Sequence, residues 1–273
     1  LLGLAGCGAK QDSVQSGADP ESTAVPSAPT AAPAPEASNQ EAEASAVSVV
    51  EGPAQEELLS QRFADYDQDF DALTFDPTQW SYDAENGIYY QIGVPYCSAP
   101  ETLDYETMGI YVPEEYMAAE DNGDGTFTCT VNASGSKGGF TGENAPIILP
   151  VDTPGYSAQA APTAYNYAYI ADYLDAGFIY VWAGMRGRAN LMGGSESLGF
   201  SGGVPYGVTD LKAAVRYYRF NETALPGSVD RFFSFGMSGG GAQSSLIGAT
   251  GDSELYYPYL TSIGAAMKTE DGD

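Results

Sequence analysis

The sequence contains no histidine and few basic residues. There are 10 Lys and Arg residues and 37 Asp and Glu residues, which gives a formal charge of −27. A surface of that charge repels phosphates, so neither nucleic acid nor an anionic lipid surface is expected as an electrostatic partner. Because a histidine normally accepts the proton of a catalytic serine, its absence removes the usual general base from these 273 residues.

Cysteines are also scarce, since only Cys7, Cys97 and Cys129 occur. Outside the cytoplasm Cys97 and Cys129 could form a disulfide, and the alternative is two separate buried thiols. Two thiols without a histidine give no support for a zinc site, so no metal or cofactor is expected. No run of about 20 apolar residues, the length that spans a bilayer, follows the N-terminus.

The N-terminus, LLGLAGCG, ends in Leu4-Ala5-Gly6-Cys7, which resembles the lipobox of bacterial lipoproteins. In that family the signal peptide is cut before the cysteine, whose sulfur receives a diacylglyceryl anchor. The resemblance implies that residues 1–7 end a signal peptide and that Cys7 anchors the chain outside the cytoplasm on the bacterial cell membrane. An ordinary signal-peptide end or a buried free cysteine are the alternatives. Because no basic segment or initiator Met precedes the apolar run, we expect the sequence to begin inside a signal peptide.

Residues 8–57 differ in composition from the rest, being rich in Ala, Ser, Pro, Glu and Gln with almost no aromatic side chains. Such a segment cannot bury enough apolar surface to offset its ordering entropy, so it is predicted to be a disordered linker. Residues 58–273 are therefore predicted to carry the folded domain, beginning with a short amphipathic helix over 58–70.

Strand and helix patterns alternate in the second half of this domain. Strands are predicted over 87–94, 108–113, 127–131, 146–151, 178–184 and 231–236, and helices over 164–176, over 209–222 with Thr209 or Asp210 as cap, and after Gly239. The alternation predicts an α/β fold: a mostly parallel sheet with helices on both faces and the earlier strands as its antiparallel edge. The acidic stretch 120–125 is interpreted as a hairpin turn, because it does not complete a calcium-loop pattern.

Gly236-Met237-Ser238-Gly239-Gly240 fits G-x-S-x-G and directly follows the predicted strand over 231–236. In this turn a serine is exposed as a nucleophile, and small neighbours avoid collision around its strained backbone. The Gly239 N–H would then be one oxyanion donor, and Gly155, or alternatively Tyr156, would supply the second. A phosphate-binding loop and a surface loop of small residues are the alternatives for this stretch.

Residues 146–267 resemble bacterial α/β-hydrolase-fold esterases of the tannase and feruloyl-esterase type. The matching pieces are AGMRGR, TDLKAAVRYYR and GMSGGGAQSSLIGATGDSELY, together with IYVPEEY at 110–116, before this stretch. The resemblance implies a serine carboxylesterase that forms an acyl-enzyme on Ser238 and acts on small-molecule esters, such as those of gallate or ferulate.

In that family the acidic residue and the histidine of the triad follow the serine along the chain. We therefore expect a C-terminally truncated chain that is itself inactive, and Asp252 and Glu254 follow Ser238 too closely to be the acid. A non-catalytic surface-binding lipoprotein and a serine peptidase of the same fold are the rival functions.

Arg186 and Arg188 follow the predicted strand over 178–184, at the end of the sheet where α/β proteins bind ligands. A guanidinium there could hold a substrate carboxylate or hydroxyl, and Arg186 is the candidate substrate-binding residue. The alternative is an ion pair with a nearby carboxylate that fixes the loop.

Overall fold

The structure is a computed structural model that describes residues 66–189, 199–203 and 205–268. All of them belong to the second of the chain's two units, residues 53–273. Cys7, the linker predicted over 8–57 and most of the helix predicted over 58–70 lie outside the described residues. Within the three described ranges, no helix combines the length and the apolar character needed to cross a bilayer.

Among the described residues, ten strands form one large sheet and two hairpins. They are β1 (Ser81–Asp83), β2 (Ile88–Pro95), β3 (Thr107–Pro113), β4 (Met117–Asp121), β5 (Phe127–Val131), β6 (Ser136–Lys137), β7 (Phe140–Thr141), β8 (Ile147–Val151), β9 (Ile179–Ala183) and β10 (Phe232–Gly236). The six-stranded sheet has the spatial order β1-β2-β3-β9-β8-β10, while β4 pairs with β5 and β6 with β7.

The large sheet is mixed, which corrects the expectation of a mostly parallel one. The pairings β1–β2, β2–β3 and β3–β9 are antiparallel. The pairings β9–β8 and β8–β10 are parallel, so these three neighbouring strands of the six run in parallel. The connections between the first three strands are too short for crossover helices and therefore impose antiparallel pairing, as predicted for the edge.

The part of the chain that the structure describes contains five α-helices: α1 (Phe70–Leu73), α2 (Ala171–Asp175), α3 (Tyr206–Phe220), α4 (Gly239–Thr250) and α5 (Tyr257–Ser262). Two of them differ from prediction. The helix expected over 164–176 is a 3-10 turn at Tyr167–Tyr169 followed by the short α2, because the Asn166 side chain caps that turn and Ile170, at φ −123°, ends it.

Helix α3 begins at Tyr206, earlier than predicted, so Thr209 and Asp210 lie inside it. Neither side chain caps the helix. The Thr209 hydroxyl donates to the Pro205 carbonyl, and Asp210 accepts hydrogen bonds from Arg186.

Apolar side chains alternate between the two faces of the sheet. In β8, Ile147, Leu149 and Val151 pack into the same core as residues of α3, whereas Ile148 packs with Leu174 of α2 on the opposite face. Each such buried aliphatic side chain contributes about 1.5–3 kcal/mol to folding. The helices therefore lie on both faces, as an α/β fold requires.

The hairpin interpretation of 120–125 is confirmed. Strands β4 and β5 pair antiparallel on either side of this stretch. The Asp121 carboxylate accepts a hydrogen bond from the Gly123 N–H, and Asp124 accepts one from the Thr126 N–H. The two acidic side chains thus satisfy the backbone of their own turn.

The two cysteines that the structure describes, Cys97 and Cys129, are free and buried, which is the arrangement given as the alternative to a disulfide. Cys97 follows β2, where Ser98 and Ala99 bond to backbone carbonyls after α5, whereas Cys129 lies in β5 of a hairpin. Burial raises the pKa of the Cys129 thiol to about 12 and that of Cys97 still further above its usual range, which keeps both protonated.

Candidate active site

Ser238 joins the end of β10 to the start of α4 in a strained conformation. Its φ of 55° and ψ of −119° are outside the regions that non-glycine residues usually adopt. The residue is exposed, as is Met237, 85% of which is accessible. A strained, exposed serine between a strand and a helix has the geometry predicted from the G-x-S-x-G match.

The glycines of this turn are required by backbone contacts. A Cβ atom added to Gly236 would lie 2.3 Å from the Val151 carbonyl oxygen and 2.6 Å from the carbonyl carbon of Gly240. At Gly240 it would lie 2.1 Å from the same Val151 oxygen. These distances are far below van der Waals contact, so no side chain fits where the turn meets the end of β8.

Helix α4 buries one face against the segment that follows β8. Its buried residues are Gly239, Gly240 and Gln243. A Cβ atom on Gly239 would lie 2.4 Å from the Thr153 carbonyl oxygen and 3.3 Å from the Gly155 nitrogen. The fold therefore brings together the two residues predicted as oxyanion donors.

The segment Pro154–Tyr156 forms a single 3-10 turn in which Gly155 and Tyr156 both have positive φ, at 61° and 63°. The Tyr156 N–H donates to the Thr153 carbonyl at 2.9 Å, which favours Gly155 as the donor of the two candidates. The Gly239 N–H is at the first position of α4, where helix geometry supplies no acceptor.

The carboxylates that closely follow Ser238 lie far from it. Asp252 bonds to the Arg216 guanidinium and accepts from the Tyr257 hydroxyl beyond the C-terminal end of α4. A helix of 12 residues is about 18 Å long, so this end is remote from the serine. Glu254 lies further along, in the 3-10 helix Glu254–Tyr256. Both positions agree with their exclusion as the triad acid.

Arg186 does not point into an open site. Its side chain is 2% exposed, donates to both carboxylate oxygens of Asp210 at 2.7–3.2 Å and reaches Glu101 at 2.6 Å. Its Nε atom also lies 3.4 Å from the buried Glu106. The structure thus shows the ion pair that was the alternative to substrate binding, because three carboxylates surround the one guanidinium.

Arg188 lies closer to the predicted oxyanion donors. Its backbone N–H donates to the Tyr156 carbonyl at 2.9 Å, and its guanidinium donates to the Gly155 carbonyl at 3.4 Å. Arg188 therefore bonds directly to the turn that carries the predicted second oxyanion donor.

Three residues at the site were missed by the sequence analysis: Thr153, Gln159 and Gln243. All are polar and almost fully buried. Gln159 accepts a hydrogen bond from the Asp152 N–H, and Gln243 accepts one from the Thr153 hydroxyl. Gln243 lies within the stretch GMSGGGAQSSLIGATGDSELY, but no role was predicted for it, and the polar character of the three residues was the available signal.

Comparison with solved structures relates this arrangement to known enzymes. The structure of Fusobacterium nucleatum tannase is 31% identical, with a TM-score of 0.55, and the match covers 74% of this chain and 40% of the tannase. Tannin acyl hydrolase from Lactobacillus plantarum is 28% identical, with a TM-score of 0.55 and coverage of 71% and 41%. The chain is similar to tannases.

A tannin acyl hydrolase in complex with ethyl gallate is 27% identical, with a TM-score of 0.55 and coverage of 72% of this chain and 42% of that one. The chain thus spans about two fifths of the length of the tannases that it matches. No protein-family model and no curated protein sequence matches it. The mixed sheet with flanking helices and the tannase neighbours support an α/β fold.

Proposed function

We propose that this chain belongs to a carboxylic ester hydrolase in which Ser238 is the nucleophile. The backbone of Ser238 carries the proposal: it is strained at a strand-to-helix turn that packs directly against the Gly155 segment. The similarity to tannases at 27–31% identity supports the same reaction class.

The reaction follows from these positions. The Ser238 oxygen attacks the ester carbonyl carbon while a general base takes its proton, and the carbonyl oxygen becomes an oxyanion. The N–H groups of Gly239 and Gly155 stabilise that charge, assisted by the N-terminus of α4. The C–O bond then breaks, the alcohol leaves with the proton, and water hydrolyses the acyl-enzyme to release the acid and regenerate the serine.

These 273 residues contain no histidine, the usual general base for a catalytic serine. We assign the base, and the acid that orients it, to further residues of the complete protein. The chain of 273 residues alone is expected to hydrolyse no ester, since a protonated serine hydroxyl is a weak nucleophile.

Esters of aromatic acids, in particular galloyl esters, are the proposed substrates. One of the similar structures holds ethyl gallate. Apolar surface on this chain fits an aromatic acid, because Phe235, Met237 and Tyr156 are exposed in or beside the turn around Ser238 and the segment Pro154–Tyr156. These side chains could contact an aromatic ring next to Ser238.

Attachment to the bacterial cell membrane through a lipid on Cys7 is the proposed location. The lipobox-like residues Leu4 to Cys7 and the polar tract behind them support it. A Cys7→Ala variant should be recovered in the soluble fraction, and an N-terminal peptide without added lipid mass in the parent protein would contradict the anchor.

Hydrolysis of methyl gallate by the full-length protein tests the function. Ser238→Ala should lower kcat by about 10⁴-fold or more, because the nucleophile is removed. Ser245→Ala is the matched control: it removes an exposed hydroxyl from the same helix, where Ser245 donates to the Gly241 carbonyl.

Activity that survives Ser238→Ala would exclude the assignment. Turnover of peptides rather than esters would favour the serine peptidase, and binding of gallate esters without turnover in the parent would favour the non-catalytic binding protein.

A further inference from the structure

We propose that Gln243 and Gln159 are positioning residues, which hold the segment 152–156 against the serine turn so that the Gly155 and Gly239 N–H groups converge. This inference rests on the proposed function. In the structure both amide side chains bond to the segment or to its neighbours rather than to Ser238, so their effect on the reaction is exerted through the backbone donors.

Gln243 fixes the segment to α4. Its side chain is 2% exposed, and its amide oxygen accepts a hydrogen bond from the hydroxyl of Thr153, which is fully buried. Gln243 lies one turn beyond Gly239 and Gly240 on the single buried face of the helix. The two glycines allow the backbone of α4 to approach the segment that follows β8. One turn later, Gln243 adds a side-chain hydrogen bond to Thr153 of that segment.

Gln159 fixes the segment to the sheet. Its amide oxygen accepts from the Asp152 N–H at 2.6 Å, and its amide nitrogen donates to the carbonyls of Ala183 at 2.7 Å and Pro150 at 3.4 Å. Its own backbone exchanges two hydrogen bonds with Met185. One buried amide thereby connects the start of the segment to the ends of β8 and β9.

These bonds matter because the segment is strained at Tyr156. This non-glycine residue has a φ of 63°, in the left-handed region, which it would leave in a turn released from its surroundings. Oxyanion donors are effective only when they are held in place before charge develops. The burial of Thr153, Gln159 and Gln243 excludes water that would compete for the same bonds.

The test uses the full-length protein, the variants Thr153→Val and Gln243→Leu with their combination, and the variant Gln159→Leu. Each single variant should lower kcat on methyl gallate about 10-fold, the effect of one hydrogen bond, with KM within about twofold. Because Thr153 and Gln243 share one bond, their double variant should lose much less than the product of the two single losses. Affinity for a tetrahedral phosphonate ester should fall by the same factor as kcat, while affinity for gallate should not change.

Controls separate this role from simple stabilisation. Thr153→Ser keeps the hydroxyl and should restore kcat to near the parent value, and Ser245→Ala should leave it unchanged. Gln243→Asn, which shortens the amide by one carbon, serves if the leucine variant does not fold. It should show the same loss of kcat and of phosphonate affinity.

Lower unfolding midpoints with unchanged kcat and phosphonate affinity would overturn the positioning role. So would a loss in Thr153→Ser as large as that in Thr153→Val. If Ser238→Ala abolishes hydrolysis while these variants retain it, only this inference fails. If Ser238→Ala remains active, the proposed function itself fails.

Discussion

At the scale of single residues, the serine turn depends on glycines, because there is no room for a side chain at their positions. Gly236, Gly239 and Gly240 each place hydrogen where a methyl group would meet backbone carbonyl oxygen, at 2.1 to 2.4 Å. Backbone atoms cannot rotate aside as a flexible side chain could. The small residues of the motif are therefore needed for contact with the chain after β8 as well as for the conformation of Ser238 itself.

A pair of glycine substitutions in α4 tests this contact. Gly240→Ala should destabilise the fold by about 1–3 kcal/mol, because its Cβ would lie 2.1 Å from the Val151 carbonyl oxygen. Gly248→Ala is the matched control in the same helix, where a Cβ has nothing within 4 Å. It should stabilise by about 0.5–1 kcal/mol through helix propensity. Urea unfolding midpoints measure both, and equal effects would contradict the contact.

At the scale of elements, a buried ionic cluster joins β9 to α3. Arg186 follows the strand, Asp210 lies in the first turns of the helix, and Glu101 and Glu106 both precede β3. The Tyr206 ring lies 5.1 Å from the Arg186 guanidinium carbon, which adds a cation–π contact. Two of the carboxylates, Glu106 and Asp210, are fully buried with a single guanidinium between them. The cluster therefore holds more negative than positive charge.

Removal of the guanidinium should be costly. Arg186→Met leaves buried carboxylates without their cation, and a loss of about 3–5 kcal/mol in unfolding free energy is expected. The control is Arg219→Met, because Arg219 is 55% exposed and pairs with Asp230 at 3.7 Å. That substitution should change stability by less than about 0.5 kcal/mol. A raised KM for methyl gallate with unchanged stability in Arg186→Met would restore the substrate-binding interpretation.

The same cluster should make stability depend on pH. Burial raises the pKa of Glu106, and it raises that of Asp210 to about 7 despite the opposing effect of Arg186. The folded state then holds more protons than the unfolded chain between pH of about 4 and 7. The contribution of these groups to stability therefore falls as pH rises through that window.

Glu106→Gln should flatten this dependence. It removes one titrating carboxyl and one of the charges that raise the pKa of Asp210. The urea unfolding midpoint should therefore fall less between pH 5 and pH 8 in the variant than in the parent. Glu120→Gln, at an exposed position, is the control and should leave the difference between the two pH values unchanged. A parallel profile for Glu106→Gln and the parent would contradict the raised pKa of Glu106.

At the scale of the whole molecule, the charge of −27 is the dominant electrostatic feature. Compaction brings like charges closer together than they are in the unfolded chain, and this repulsion opposes folding. Salt screens exposed charges strongly at distances beyond about 10 Å at 0.1 M. The buried Arg186 cluster should be much less sensitive to salt than the surface.

Added salt should therefore stabilise the protein. The urea midpoint is expected to rise between low salt and about 0.5 M NaCl, because screening reduces the repulsion between surface carboxylates. A variant with Glu85, Glu120 and Glu143, all exposed, replaced by Gln should be more stable at low salt and gain less from NaCl. An equal gain in the variant and the parent would show that specific ion effects outweigh surface repulsion.

Much of the fold was accessible from local patterns. Strands β2, β3, β5, β8, β9 and β10 and the helix after Gly239 lie where the sequence predicted them, because alternating or continuous apolar runs report burial directly. Prediction failed where side chains compete with a local pattern. Asn166 caps a 3-10 turn inside the expected helix over 164–176, and Asp210, expected as a cap, pairs with Arg186 instead.

The sequence by itself determined the strand pattern, the turn around Ser238 and the acidic surface, since each depends on residues close together along the chain. Only the tertiary structure decided that Cys97 and Cys129 stay apart, that Arg186 pairs with carboxylates, and that Gln243 meets Thr153. The last two involve partners up to 90 positions apart, Thr153 with Gln243 and Arg186 with Glu101. Such contacts are set by the order of strands in the sheet and the packing of helices on it, which no short segment encodes.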